Sequence, residues 1–133
     1  MPRNASTGER QVPRVLIVED NDAMRALIRS LVEEVTPMVQ ECTSAEDALA
    51  LYPGMRPDWV LMDIRLGGMD GIAATRILTG MDAGARVIIV TEHGDRGYRE
   101  AAREAGATGF VLKDNLLDLT SMLDSGHDAP PEG

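Results

Sequence analysis

The chain has very little cysteine: Cys42 is alone among 133 residues, so no disulfide can form within it. Near the end of a short apolar segment, that thiol is expected to act as a small buried hydrophobe. Long apolar runs are also missing. None approaches the roughly 18 residues of a membrane span. The first fourteen residues, MPRNASTGERQVPR, have no apolar core of the kind a secretory leader needs. Positive charge is scarce too, with 13 Lys and Arg against 22 Asp and Glu and a net charge of −9. Such a chain gains nothing from releasing counterions off a phosphate backbone, so direct nucleic-acid binding is not expected. The expectations are no membrane, a cytoplasmic location, and cations or basic surfaces as ligands.

The chain does have the makings of one globular domain. Hydrophobic residues form 44% of it and charged residues 26%, enough for a core without metal or disulfide staples. Polar composition suggests disorder over residues 1–12 and 125–133, with a domain over 13–124. Within it, VLIV (15–18), WVLM (59–62), VIIV (87–90) and FVL (110–112) read as buried strands. MVQEC (38–42) carries Gln40 and Glu41 and suits an edge strand. Helical stripes separate the strands. They are Met24-Leu27-Ile28-Leu31-Val32-Val35, then Ala45-Ala48-Leu49-Tyr52, then Ala73-Ile77-Leu78-Met81. Tyr98-Ala101-Ala102-Ala105 and Leu116-Leu119-Leu123 complete the set. Ser44 or Thr43 caps the second helix, and Pro53-Gly54 is expected to stop it. A β-α unit repeated five times builds a parallel sheet with right-handed crossovers and helices on both faces. The expected fold is α/β and doubly wound, with strand order 2-1-3-4-5 and the polar second strand at an edge.

Ligands of such sheets sit beyond the carboxyl ends of the strands. Glu19 and Asp20 follow the first strand, Asp63 the third, Thr91 the fourth and Lys113 the fifth. Those four strands are neighbours in the expected order, while the second strand ends in uncharged Cys42. Three converging carboxylates repel one another and call for a cation; oxygen ligands with room for water suit Mg²⁺. Thr91 can donate a hydrogen bond and Lys113 can pair with an oxygen of a dianionic group. A carboxylate can itself accept a phosphoryl group. Taken singly, each residue has an ordinary reading. Glu19 to Asp22 could cap a helix, with Asn21 or Asp22 as the cap; Asp63 could open a turn; Thr91 and Lys113 could be surface residues. It is their arrangement at the ends of adjacent strands that points to a site.

From Arg14 to about Asp124 the sequence resembles the response-regulator receiver domains of bacterial two-component signalling. The motifs are LIVED (16–20), the D…MDG loop (63–71), the threonine after the fourth strand, and GFVLK (109–113). The resemblance implies that Asp63 is the phosphoacceptor, and that Asp20 binds Mg²⁺ directly and Glu19 mainly through water. It implies further that the main-chain carbonyl of Arg65 is a metal ligand, that Thr91 and Lys113 hold the phosphoryl group, and that Thr91 and Phe110 form a switch. The implied donor is a histidine kinase or histidine phosphotransfer protein. A downstream protein target would read the face made by the fourth helix, fifth strand and fifth helix. Activity would be limited to self-catalysed phosphorylation and dephosphorylation. With only a tail after Asp124, the expectation is a stand-alone, chemotaxis-type receiver or one domain of a longer protein.

Three positions depart from the family pattern. Gly67 stands where proline is usual, so a looser loop is expected. Asp114 follows Lys113 in place of proline, as in receivers joined to helix-turn-helix domains. Glu92 replaces a small residue beside Thr91, where its charge could oppose an incoming phosphoryl group. Arg65 and His93 are expected at the mouth, tuning lifetime or simply solvated. The rivals are a phosphohydrolase using the same cleft and a pseudo-receiver that binds partners without phosphorylation. Haloacid-dehalogenase enzymes need a second Asp two residues on, here Asp22. Toprim enzymes need Asp-x-Asp, and here the chain has Asp63-Ile64-Arg65. A flavodoxin-like cofactor role fails because EDND replaces a phosphate loop rich in backbone donors.

Overall fold

A computed structural model describes residues 12–125. The disorder expected for 1–12 and 125–133 therefore falls almost wholly outside the described residues. Five parallel strands form the sheet: β1 (Val15–Val18), β2 (Val39–Cys42), β3 (Trp59–Met62), β4 (Val87–Thr91) and β5 (Gly109–Leu112). Their spatial order is β2-β1-β3-β4-β5, as the sequence predicts. Helices α1 (Asp22–Val32), α2 (Ala45–Met55), α3 (Gly71–Met81), α4 (Arg96–Glu104) and α5 (Leu117–Ser125) make the crossovers.

Alternation along the strands divides the core into two layers. Val15, Ile17, Trp59, Leu61, Ile88, Val90 and Val111 face α1 and α5, against Ile28, Val32, Leu119 and Leu123. Leu16, Val18, Val60, Met62, Val87 and Ile89 face α2, α3 and α4, against Ala48, Tyr52, Ala74, Leu78 and Ala102. Burial on both faces is why these strands read as unbroken apolar runs. In β2 only Cys42 is buried, so Gln40 and Glu41 are compatible with an edge. Arg25 and Arg29 of α1 both pair with Glu41 and fasten that edge.

Three details correct the sequence reading. Helix α1 ends at Val32, so Val35 packs from the turn beyond it, and Leu27 is exposed. Helix α2 runs through Pro53 and Gly54 to Met55, then ends on Arg56 in the left-handed region at φ 52°. Pro53 sacrifices one late hydrogen bond, but continuing the turn buries Met55. Tyr52, on the same turn, is buried as well, and its hydroxyl donates to Asp82 at 2.8 Å. In α3 the buried face is Gly71, Ile72, Ala74, Thr75 and Leu78, leaving Ile77 and Met81 largely exposed. Small residues let this helix approach the sheet closely, and an apolar-only stripe overlooks them.

Gly71 shows how close that approach is. A Cβ there would lie 1.9 Å from the Asp63 carbonyl oxygen and 2.8 Å from Met62 Cγ. Its N–H donates to the Ile64 carbonyl at 2.9 Å, closing the loop that follows β3. Gly71→Ala is expected to cost about 3 kcal/mol, the upper range for overpacking. Urea denaturation measures this; a loss below about 0.5 kcal/mol would mean the loop moves freely away from the helix.

Candidate functional site

The sheet delivers its charges to one edge. Backbone pairing continues past the strands: Glu19 N–H donates to Cys42 O and Asp63 N–H to Val18 O, both at 3.1 Å. These bonds fix the two carboxylates side by side. Carboxylate oxygens of Glu19, Asp20 and Asp63 all lie within 4.8 Å of one another. Asp20 is exposed, while Glu19 and Asp63 are buried. Thr91 closes β4 and is fully buried, its Oγ1 accepting from His93 N–H at 3.1 Å. Lys113 opens a short 3-10 turn (Lys113–Asn115) after β5. Its ammonium lies 3.2 Å from Asp63 Oδ2 and 3.1 Å from Glu19 Oε1.

A cleft of about 240 Å³ opens here, lined by Glu19, Asp20, Asn21, Asp63, Arg65, Glu92, His93 and Lys113. A larger cavity of about 660 Å³ lies at the opposite edge of the sheet, beside Tyr52, Arg56 and Asp82, and holds none of these residues. Burial, then the charge of Asp63, push the Glu19 carboxyl above the usual range; Lys113 and the Asn21 N–H only partly offset them. For Lys113, burial disfavours the ammonium, but Glu19 and Asp63 outweigh it and the pKa is raised. Glu19 Oε1 is buried without an aligned hydrogen-bond donor, and its contact with Lys113 is an ion pair only. That orphaned oxygen, together with three hard carboxylates at an open cleft, fits Mg²⁺.

The residues around the rim fall where the sequence places them, with contacts it does not announce. Arg65 is exposed, and its Nη2 donates to the Tyr98 hydroxyl at 3.4 Å. The His93 ring packs against Tyr98 at 5.6 Å between centroids. Glu92 is exposed and near enough to Arg65 to interact with its charge. Phe110 is half-buried on β5 with the Arg99 guanidinium 4.6 Å above its ring. Asp22 opens α1 and pairs with Arg25, which removes it from the role a dehalogenase-like enzyme would need. Asn21, not Asp22, is the cap of α1. The loop expected to be loose is braced from α2: Glu46 Oε2 accepts from Met69 N–H at 3.2 Å. Sequence reasoning missed Glu46 and Tyr98. It also passed over a plain signal, that Lys113 is the only lysine in the chain.

Fold and site together define a class: a doubly wound α/β domain whose carboxyl edge gathers an acidic cluster, a buried hydroxyl and one ammonium. The profile of the response regulator receiver domain matches residues 15–124, and the chain belongs to that family. It is 37% identical over 100 residues to the chemotaxis protein CheY of Halobacterium salinarum, covering 75% of this chain and 83% of that protein. CheY of Bacillus subtilis is 37% identical over 101 residues, with 75% and 84% covered. Among solved structures, a LuxR-family two-component response regulator from an Aurantimonas species superposes with a TM-score of 0.79. It is 34% identical, with 86% of this chain and 84% of that chain covered. No helix among the described residues is long and apolar enough to cross a membrane.

Proposed function

We propose that Asp63 accepts a phosphoryl group from a histidine kinase or histidine phosphotransfer protein. The single observation that carries this is the triad of Glu19, Asp20 and Asp63 with Lys113 inserted between two of its members. An Asp63 carboxylate oxygen attacks phosphorus, a new O–P bond forms, and the donor imidazole leaves with the electrons of its N–P bond. Lys113 moves its pairing from the carboxylates to a phosphoryl oxygen. The Thr91 hydroxyl, now turned to the His93 N–H, donates to another oxygen. Glu19, Asp20, Asp63 and the Arg65 carbonyl are the residues that would hold Mg²⁺, whose charge would offset that of the incoming group. Thr91 then couples to Phe110, whose ring can move inward without burying a polar group. The downstream protein reads the α4-β5-α5 face. Exposure to acetyl phosphate and Mg²⁺, followed by intact mass, tests the reading. Absence of any mass gain under conditions that label a receiver control would favour the pseudo-receiver instead.

Two further outcomes follow from the geometry of the cleft. Glu19 has its folded pKa raised above 4.5, so its contribution to stability is full below that pH and is lost as pH rises through the raised value. Glu19→Gln removes that titration. Its melting temperature relative to wild type is therefore expected to rise from pH 4 to pH 8 in EDTA, and Mg²⁺ is expected to shrink the trend. A difference that stays flat across this range would show that Glu19 is not strained. Glu92→Ala is expected to speed labelling by no more than about threefold at low salt. The side chain is exposed and its charge is opposed by Arg65, so screening removes most of the barrier. A tenfold or greater acceleration would make Glu92 a gate.

A further inference from the structure

The loop that follows β3 carries the Arg65 carbonyl, and little in its own sequence holds it still. Gly67 and Gly68 stand in tandem, where the backbone is least restricted. A side chain at Gly67 would meet nothing within 4 Å. Packing fastens only part of the loop. Ile64 and Leu66 are buried and Met69 lies against the same core layer, while Arg65, Gly67 and Gly68 are exposed. Backbone pairing adds little. From Ile64 to Asp70, the Met69 N–H is the one main-chain donor with an acceptor among the described residues, and that acceptor is Glu46 Oε2 at 3.2 Å.

Glu46 comes from outside the loop, in the first turn of α2. Its seat is tight on the loop side. A Cβ at Gly68 would lie 2.7 Å from Glu46 Oε2 and 3.3 Å from Oε1, so glycine at 68 is what lets the carboxylate reach the Met69 N–H. A helix-terminus role does not require that contact. A carboxylate in the first turn complements the macrodipole, and Asp47, one residue on, does so with no hydrogen bond to the loop among the described residues. We infer that Glu46 is a positioning residue for the metal: by holding Met69 it pre-orders the loop that carries the Arg65 carbonyl, and so sets the affinity for Mg²⁺. The inference rests on the reading of that carbonyl as a metal ligand. Without the brace, binding must first order a loop with two glycines, and that entropy is subtracted from the binding free energy. Linkage makes the effect reciprocal, so bound Mg²⁺ slows opening of the Met69 amide.

MgCl₂ titrations read by amide chemical shifts, with amide hydrogen exchange in EDTA, test this. Glu46→Ala is expected to weaken Mg²⁺ binding about fivefold and to speed exchange at Gly71, whose N–H closes the loop on Ile64. Glu46→Gln keeps an oxygen acceptor without the charge and is expected to stay within about twofold of wild type. Asp47→Ala removes the neighbouring charge and its helix-dipole contribution, and is also expected to stay within about twofold, whatever it does to the melting temperature. Gly68→Ala pushes the Glu46 carboxylate aside without replacing it, so it should weaken binding as Glu46→Ala does. The double variant should then be no weaker than either single one. Equal weakening by Glu46→Gln or Asp47→Ala overturns the proposal, because charge alone then explains it. Additive losses at positions 46 and 68 overturn it too, because the two then act separately. Wild-type binding that Glu46→Ala leaves untouched sinks the proposal alone and keeps the metal site. Wild-type protein that takes up no Mg²⁺ at millimolar levels removes the metal reading itself, and the proposal with it.

Discussion

Wild-type protein given acetyl phosphate and Mg²⁺ is expected to gain one phosphoryl group, and Asp63→Asn none. The effect is all or nothing because the acceptor oxygen is replaced by an amide that cannot form the acyl phosphate. The label should be acid-stable and base-labile, and intact mass with peptide mapping reads it directly. Folding should survive. Asp63 is buried 3.2 Å from Lys113, but its charge is also one of the causes that push Glu19 upward. Asparagine keeps the shape and lowers the repulsion, so the variant should melt at or above the wild-type temperature in EDTA. Labelling that persists in Asp63→Asn would place the acceptor elsewhere and sink the proposed mechanism.

Lys113→Met is the second large effect. Side chains of Glu19 and Asp63 are only 2% and 6% exposed, and Lys113 is the cation between them. Removing it leaves two buried carboxylates without their counter-charge, which costs about 3–5 kcal/mol. The sign of the pH dependence is fixed by the two shifts. Lys113 has its pKa raised above 10.5, so at pH 8 its contribution is fully present in wild type and fully missing in the variant. As the pH is lowered from 8 to 5, the raised Glu19 carboxyl takes up protons earlier than an ordinary carboxyl would, and the deficit should narrow. Millimolar Mg²⁺ should also narrow it, since a bound cation stabilises the folded state by mass action. Urea denaturation in EDTA at the two pH values measures the difference. A variant within roughly 1 kcal/mol of wild type at pH 8 would mean that water, not Lys113, compensates the pair.

The sheet and the residues at its carboxyl edge could be read from the sequence because both rest on local signals. Strands buried on both faces are continuous apolar runs, and the residue that ends each run has its direction fixed by the strand. Asp63 and Lys113 are 50 residues apart in the chain, yet strand order alone brings them together. What stayed hidden depends on contacts between elements or on small residues. Glu46 reaches the loop after β3 from a different crossover, and no spacing reveals it. The Arg65–Tyr98 contact joins the β3 and β4 sides of the cleft for the same reason. The face of α3 was misjudged because glycine, alanine and threonine make its close packing, while Ile77 and Met81 point outward. Pro53 misled as a stop because its local cost is met by burial of Tyr52 and Met55, which a one-dimensional pattern does not weigh.

The solitary lysine has a chemical consequence outside signalling. Every other basic side chain apart from histidine is an arginine, so Lys113 supplies the only ε-amine in the sequence. It is nine-tenths buried and held as an ammonium by two carboxylates. Acylating reagents need the free amine, so at neutral pH this side chain is shielded twice, by access and by protonation. Whatever draws the ammonium out of its ion pairs would unmask that nitrogen. Acylation of Lys113 thus becomes a clock for how often the cleft lets go of its cation.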